Sequence, residues 1–326
     1  MKRRDFLSTA GVAAAWSLTA KAQERRIPTI GYLYAGSLAE GQDNLEAFCK
    51  GLSETGYVAG QNVTFVFREA KDDLALLPEL ARDLVRRQVD VILAPGNGAA
   101  AVAAKAATAT IPIVFSNAGN PMGSGLVTSL SHPGGNITGI ADFGIELSAK
   151  RLELLKLLIP AASKVAVLAA RKQPQAEREI ANAQEHARSL GIDMVAHWVS
   201  TVEDIDAAFA AFAQKRVDAV CLVTHVLFFG HRERVVGLAA RYRLPTVYPF
   251  IQYTQSGGLM SYGSSVMERA YQAGVYVGLI LNGRRPGDLP VRRLTKFELA
   301  INMTTAKSLG LTVSARFLAL ADKVIG

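Results

Sequence analysis

Val89-Asp90-Val91-Ile92-Leu93, followed by Ile111-Pro112-Ile113-Val114-Phe115, decides the fold, because the same grammar returns at Val217-Asp218-Ala219-Val220-Cys221 and Leu244-Pro245-Thr246-Val247-Tyr248. In both places a short β-branched run opens on Val-Asp, a helical stretch follows, and the next run opens on X-Pro. Working outward, Ile27–Tyr34 and Val165–Ala169 are apolar runs, each followed by a helical stretch, Asn44–Glu54 and Gln175–Leu190, that stops at Gly56 or Gly191. Val63–Phe67 and Ile192–Val199 read as the next strands. Helical periodicity then fills about 74–88, 98–108, 202–214 and 232–243. Apolar strands alternating with amphipathic helices predict parallel sheets covered on both faces, and the repeat predicts two doubly wound, Rossmann-like lobes.

The expected lobe boundaries follow from Gly-rich passages. The first crossing is placed at His132-Pro133-Gly134-Gly135-Asn136 running through Ile140 to Phe143, a second at Gln255-Ser256-Gly257-Gly258, and a third near Gly283–Pro290. One lobe then comprises 23–140 and 257–286, the other 141–256 and 287–326. A helix over Met267–Leu281 returns to lobe one, while a strand around Phe297–Ile301 and a last helix over Ala315–Ile325 finish lobe two.

Residues 1–22 read as an export signal. Lys2, Arg3 and Arg4 precede a short Ala-rich apolar stretch, Ala20-Lys21-Ala22 supplies a small-residue cleavage site, and the arginine pair followed by Phe6-Leu7 resembles a twin-arginine signal. Cleavage after Ala22 removes four basic residues and Asp5, lowering the formal charge from +8 to +5, and places the mature chain in the periplasm. Among the remaining basic residues, pairs such as Arg284-Arg285 and Arg292-Arg293 form no clustered stripe, so no nucleic-acid partner is expected.

The chain is half hydrophobic and one-fifth charged, a globular balance, yet no apolar run reaches membrane-spanning length. Two cysteines, Cys49 and Cys221, exclude a disulfide scaffold or a thiolate metal cage. Gly96-Asn97-Gly98-Ala99-Ala100-Ala101 matches a dinucleotide fingerprint only superficially: it follows the third strand and lacks an acidic residue about 20 positions on. No cofactor, metal or catalytic residue is expected, since no nucleophile elbow, zinc motif or phosphate loop occurs.

In open parallel sheets, ligands sit beyond the carboxyl ends of the strands. Those loops carry Tyr34, Ser37, Asn97, Gly98, Ser116 and Asn117 in lobe one, and Arg171, His225, Phe228, Tyr248 and Phe250 in lobe two. Ser37, Asn97, Ser116 and Asn117 suit polar anchoring, with the Gly98 backbone open to an anion. Tyr34, Phe228, Tyr248 and Phe250 suit an apolar body, and Arg171 and His225 an anionic tail.

Several segments in order carry a family resemblance: Gly56-Tyr57-Val58-Ala59-Gly60-Gln61-Asn62-Val63, Pro133-Gly134-Gly135-Asn136-Ile137-Thr138-Gly139, Lys150-Arg151-Leu152-Glu153-Leu154-Leu155-Lys156 and Gly257-Gly258-Leu259-Met260-Ser261-Tyr262-Gly263. The chain resembles one group of ABC-transporter substrate-binding proteins, some of which take up aromatic amino acids such as tryptophan. The resemblance implies a type I periplasmic binding fold, capture of a small organic solute by hinge closure, and delivery to an inner-membrane ABC permease. Gly119-Asn120-Pro121 stands where the group commonly has Gly-Asp-Pro, and Arg171-Lys172 where it has Asn-Pro. A sensory binding protein, or an enzyme on the same scaffold, would use the same two lobes.

Overall fold

The computed structural model describes residues 26–96, 98–141, 144–171 and 174–326; the expected export signal, Asn97 and the crossing residues Asp142 and Phe143 lie outside them. Along the chain run β1 (Thr29–Tyr34), α1 (Gln42–Ser53), β2 (Thr64–Glu69), α2 (Leu77–Arg86), β3 (Val91–Pro95), α3 (Ala99–Ala107), β4 (Ile113–Ala118) and β5 (Ile137–Ala141). There follow α4 (Gly144–Leu158), β6 (Lys164–Ala170), α5 (Pro174–Ser189), β7 (Asp193–Val199), α6 (Val202–Gln214) and β8 (Ala219–Leu222). The remainder is α7 (Val226–Gly230), α8 (Arg232–Arg241), β9 (Thr246–Tyr248), α9 (Ile251–Gln255), β10 (Met260–Ser264), α10 (Val266–Leu281), β11 (Arg292–Arg293), β12 (Phe297–Asn302), α11 (Met303–Ser308), α12 (Ala315–Leu318) and β13 (Lys323–Ile325).

The strands form two sheets, ordered β11-β5-β4-β3-β1-β2 and β13-β12-β10-β9-β8-β6-β7. The cores of these orders, 5-4-3-1-2 and 10-9-8-6-7, are one pattern offset by five strands, so the repeat read in the sequence is a repeat of topology. All pairings in the first sheet are parallel. The second is mixed, because β12 runs antiparallel to β10.

The marks that define the repeat have structural jobs. Asp90 accepts the Thr29 N–H at 2.7 Å, clamping the start of β1 to the entry of β3. Asp218 does the same for β6, accepting the N–H groups of Ser163 at 2.7 Å and Lys164 at 2.8 Å. The Pro112 and Pro245 carbonyls accept from Ile92 and Val220, each at 2.8 Å, setting the register of the following strand. Gly56 and Gly191 adopt φ of +93° and +66°, the left-handed turn that ends a helix.

Three features differ from expectation. β10, assigned to lobe one by a boundary at 257, pairs with β9 and β12 in the second sheet. Gly257 and Gly258 do not cross between lobes; their N–H groups bond back to Thr254 and Tyr253 and close α9 within lobe two. Likewise the chain stays in lobe one past 286, because Val291 N bonds to Leu130 O and β11 pairs with β5. The crossings therefore follow Ala141, Ser264 and Arg293. Finally, the expected helix over Ala315–Ile325 stops at Leu318; Asp322 exchanges two hydrogen bonds with Leu299 and starts β13.

Each sheet buries its apolar residues under helices: Ile30, Leu33, Val91, Ile92 and Phe115 in lobe one, and Val165, Val167, Leu168 and Val220 in lobe two. Helix α10 packs against α1 so closely that a Cβ on Gly51 would lie 1.9 Å from the Tyr271 carbonyl oxygen. Cys49 and Cys221 are free thiols in different lobes, and burial pushes the Cys221 thiol up to about 11.

Candidate functional site

The carboxyl ends of β1, β3 and β4 face those of β8 and β9 across a cavity of about 660 Å³, mouth included. Lobe one contributes Tyr32, Tyr34, Ser116 and Asn117, and lobe two Thr224, His225, Phe229 and Phe250. Helix α10 closes one side with Arg269.

The lobes touch. Val226 packs into the core of lobe one, and a Cβ on Gly96 would meet its Cγ1 at 3.3 Å. Asp72 of lobe one lies 3.8 Å from His231 Nε2 of lobe two. Arg269 projects from α10 with its guanidinium carbon 4.9 Å from the centre of the Phe250 ring, and its Nη1 donates to Ser264 Oγ. The cleft is therefore described in a closed arrangement with space left inside.

The polar groups on its walls have specific local causes. At Asn117 the β4–β5 register shifts and φ reaches +81°, a left-handed backbone that few residues other than glycine adopt. This irregularity brings Asn117 to the cavity, where its Oδ1 is buried without a hydrogen-bond partner among the described residues. Thr224 Oγ1 and His225 Nε2 are in the same condition on the opposite wall. Buried polar atoms are normally paired, so three orphans around one cavity leave hydrogen-bonding capacity open at its wall. Burial also depresses the His225 imidazole to about 4, leaving it neutral.

The remainder of the wall is largely apolar, aromatic side chains alongside Leu93, Val226 and Val266. Phe229 meets Phe250 edge-on at 5.7 Å, and Tyr32 meets Tyr34 at 6.2 Å. Among the described residues no group of three His, Cys, Asp or Glu side chains could hold a metal, and no helix is long and apolar enough to cross a membrane.

The model of the family described as "ABC transporter substrate binding protein" matches residues 41–325. The chain belongs to that family. It is 30% identical over 265 residues to a "Tyrosine-binding protein" of Clostridioides difficile (strain R20291), covering 81% of this chain and 75% of the relative. The crystal structure of a conserved domain protein from Vibrio cholerae superposes with a TM-score of 0.85 at 26% identity, covering 92% of this chain and all of that one. An ABC domain in complex with L-Trp from Streptococcus pneumonia superposes at 0.84 and 23% identity, covering 91% of this chain and 99% of that one. The two α/β lobes thus form a type I periplasmic binding fold, and the family is one of substrate-binding proteins.

Within this family fold, Tyr34, Ser116, Asn117, His225 and Phe250 line the cavity. The other described candidates do not. Ser37 and Gly98 lie in strand-end loops off the wall, with Gly98 preceding α3 at φ +85°. Phe228 and Tyr248 are fully buried in the lobe-two core, Tyr248 stacked on Tyr253 at 4.9 Å. Arg171 is exposed beyond β6, and its backbone N–H caps the sheet by donating to Val199.

Sequence reasoning missed Tyr32, Thr224, Phe229 and Arg269. Arg269 was findable: it shares a helical face with Ala273, Val277 and Ile280, all buried, so its charge had to point inward. Phe229 was missed for its neighbour, since one residue turns a helix by about 100°.

Proposed function

We propose that the chain is the exported solute-binding component of an ABC importer. It takes a small organic solute, an amino acid or another carboxylate-bearing compound with an aromatic or apolar body, into the cleft between the lobes. Closure desolvates the solute, and the closed lobe pair is what an inner-membrane permease recognises. The observation that carries this reading is the cavity walled by both lobes, with unpaired buried polar atoms on each side of an aromatic interior. Contacts from both lobes are what a solute needs to favour the closed state, because only differential contacts shift such an equilibrium.

Family membership supports a binding role, and the tyrosine and tryptophan named for the relatives support an aromatic amino acid as the first candidate. The reading of residues 1–22 as a signal cleaved after Ala22 supports action in the periplasm. A thermal-shift screen of residues 23–326 against amino acids, aromatic acids and dicarboxylates tests the proposal. A binder raises the unfolding midpoint in proportion to the logarithm of its concentration. Conversion of any solute into product would instead identify an enzyme.

A further inference from the structure

His225 is the group on the cleft wall whose proton the backbone itself positions. The residue is the N-cap of α7, with extended φ −154° and ψ 148°, and its Nδ1 accepts the Leu227 N–H at 3.1 Å. A ring nitrogen that accepts a hydrogen bond carries no proton, so the neutral imidazole bears its proton on Nε2. That Nε2 is one of the three orphan atoms on the cavity wall, in a residue only 6% exposed.

A second proton would have to go on Nδ1, where it would face the Leu227 N–H and break the cap. Burial opposes that proton as well. The other titratable groups on the cavity wall among the described residues are Tyr32, Tyr34 and Arg269.

We propose that His225 is a fixed-tautomer Nε2–H donor that selects solutes presenting an acceptor oxygen (carboxylate, carbonyl or phenolic) to the lobe-two wall. The inference rests on the reading of the cleft as a solute site and sharpens it. The lobe-one wall offers the complementary group, since Asn117 Oδ1 is an unpaired acceptor. A matched guest therefore carries a donor for Asn117 and an acceptor for His225 on one apolar body. A guest that turns an N–H toward His225 leaves two donors opposed in a dry site and is rejected.

The test uses residues 23–326 with 15N-labelled histidine, and L-tryptophan, indole-3-propionate and tryptamine as probes. Long-range 1H–15N spectra are expected to show His225 with Nε2 protonated and Nδ1 bare, unchanged from pH 7.5 to pH 5.5. The two carboxylate probes are expected to shift the Nε2–H proton downfield on binding, and tryptamine to leave it in place. His225→Ser keeps a capping oxygen but removes the donor, and is expected to weaken the bound probe roughly 10- to 100-fold. His225→Asn keeps both a capping oxygen and an amide N–H and is expected to recover part of the loss.

A proton on Nδ1, an imidazolium at neutral pH, or equal binding by wild type and His225→Ser overturns the proposal. Tryptamine binding as tightly as L-tryptophan overturns it too. If none of the three probes binds, the aromatic solute class is what fails, and the ring spectrum still decides whether His225 is the donor described.

Discussion

Arg269 and Phe250 meet across the cleft: the cation sits on a lobe-one helix, the ring on a lobe-two strand end, 4.9 Å from guanidinium carbon to ring centre. Because the pair spans the lobes, it belongs to the closed arrangement and is broken by opening. A buried cation–π contact is worth up to about 2 kcal/mol. Arg269→Met, which keeps side-chain length without the charge, is therefore expected to move the ligand-free protein toward the open form by up to roughly thirtyfold. Small-angle scattering would read this as a larger radius of gyration; an unchanged radius would show that the pair does not hold the lobes together.

The contact between α1 and α10 places Arg269 and admits no extra atom. Gly51→Ala would put a methyl 1.9 Å from the Tyr271 carbonyl oxygen, which is backbone and can move only with the helix. The expected outcome is a loss of about 1–3 kcal/mol in urea unfolding, as for other overpacked sites. Solute affinity should fall with it because α10 is displaced. A variant as stable as wild type would contradict the packing described.

His225 also makes the fold acid-sensitive. Burial lowers its pKa from 6.5 to about 4, so the unfolded chain binds the proton more readily than the folded one. Stability from this group is complete above pH 6.5 and falls as the pH drops toward 4, by about 3 kcal/mol at most. His225→Asn, which cannot titrate, is expected to flatten that part of the stability profile. Denaturant midpoints of both proteins between pH 7.5 and pH 4.5 check it.

Asp218 makes a second acid-side contribution. The Ser163 N–H, with lesser help from the Lys164 N–H and the Ser163 hydroxyl, holds its carboxyl below the ordinary value. Its stabilisation is present above the ordinary aspartate pKa and is lost as pH falls through the lowered folded one. Asp218→Ala should therefore be less stable than wild type at pH 7, with the gap closing in strong acid. A gap independent of pH would assign the loss to something other than the carboxylate.

The same Asp218 explains why so much of the fold was legible. Val-Asp and X-Pro recur because each lobe needs a carboxylate to clamp its first strand and a proline carbonyl to set its fourth; the chemistry is local and visible in the residues. Crossings were harder, since Gly257-Gly258 ends α9 with the same residues that would make a hinge. Tertiary pairing, which the chain does not spell out, assigns β10 to lobe two. Ser116, Asn117 and His225 line the cavity, as residues at strand ends are placed to do. Phe228, Tyr248 and Arg171 were misplaced because side-chain direction at a strand end depends on the turn that follows.

The central claim is that the cleft takes up an intact solute using groups from both lobes. Isothermal titration of residues 23–326 with L-tyrosine and L-tryptophan, repeated on Asn117→Ala and Thr224→Ala, tests it most directly. One solute molecule bound per chain, with a negative heat-capacity change and weakened by each substitution, is the result expected. Binding that both substitutions leave unchanged, or heat from neither amino acid and from no aromatic carboxylate, would contradict the account.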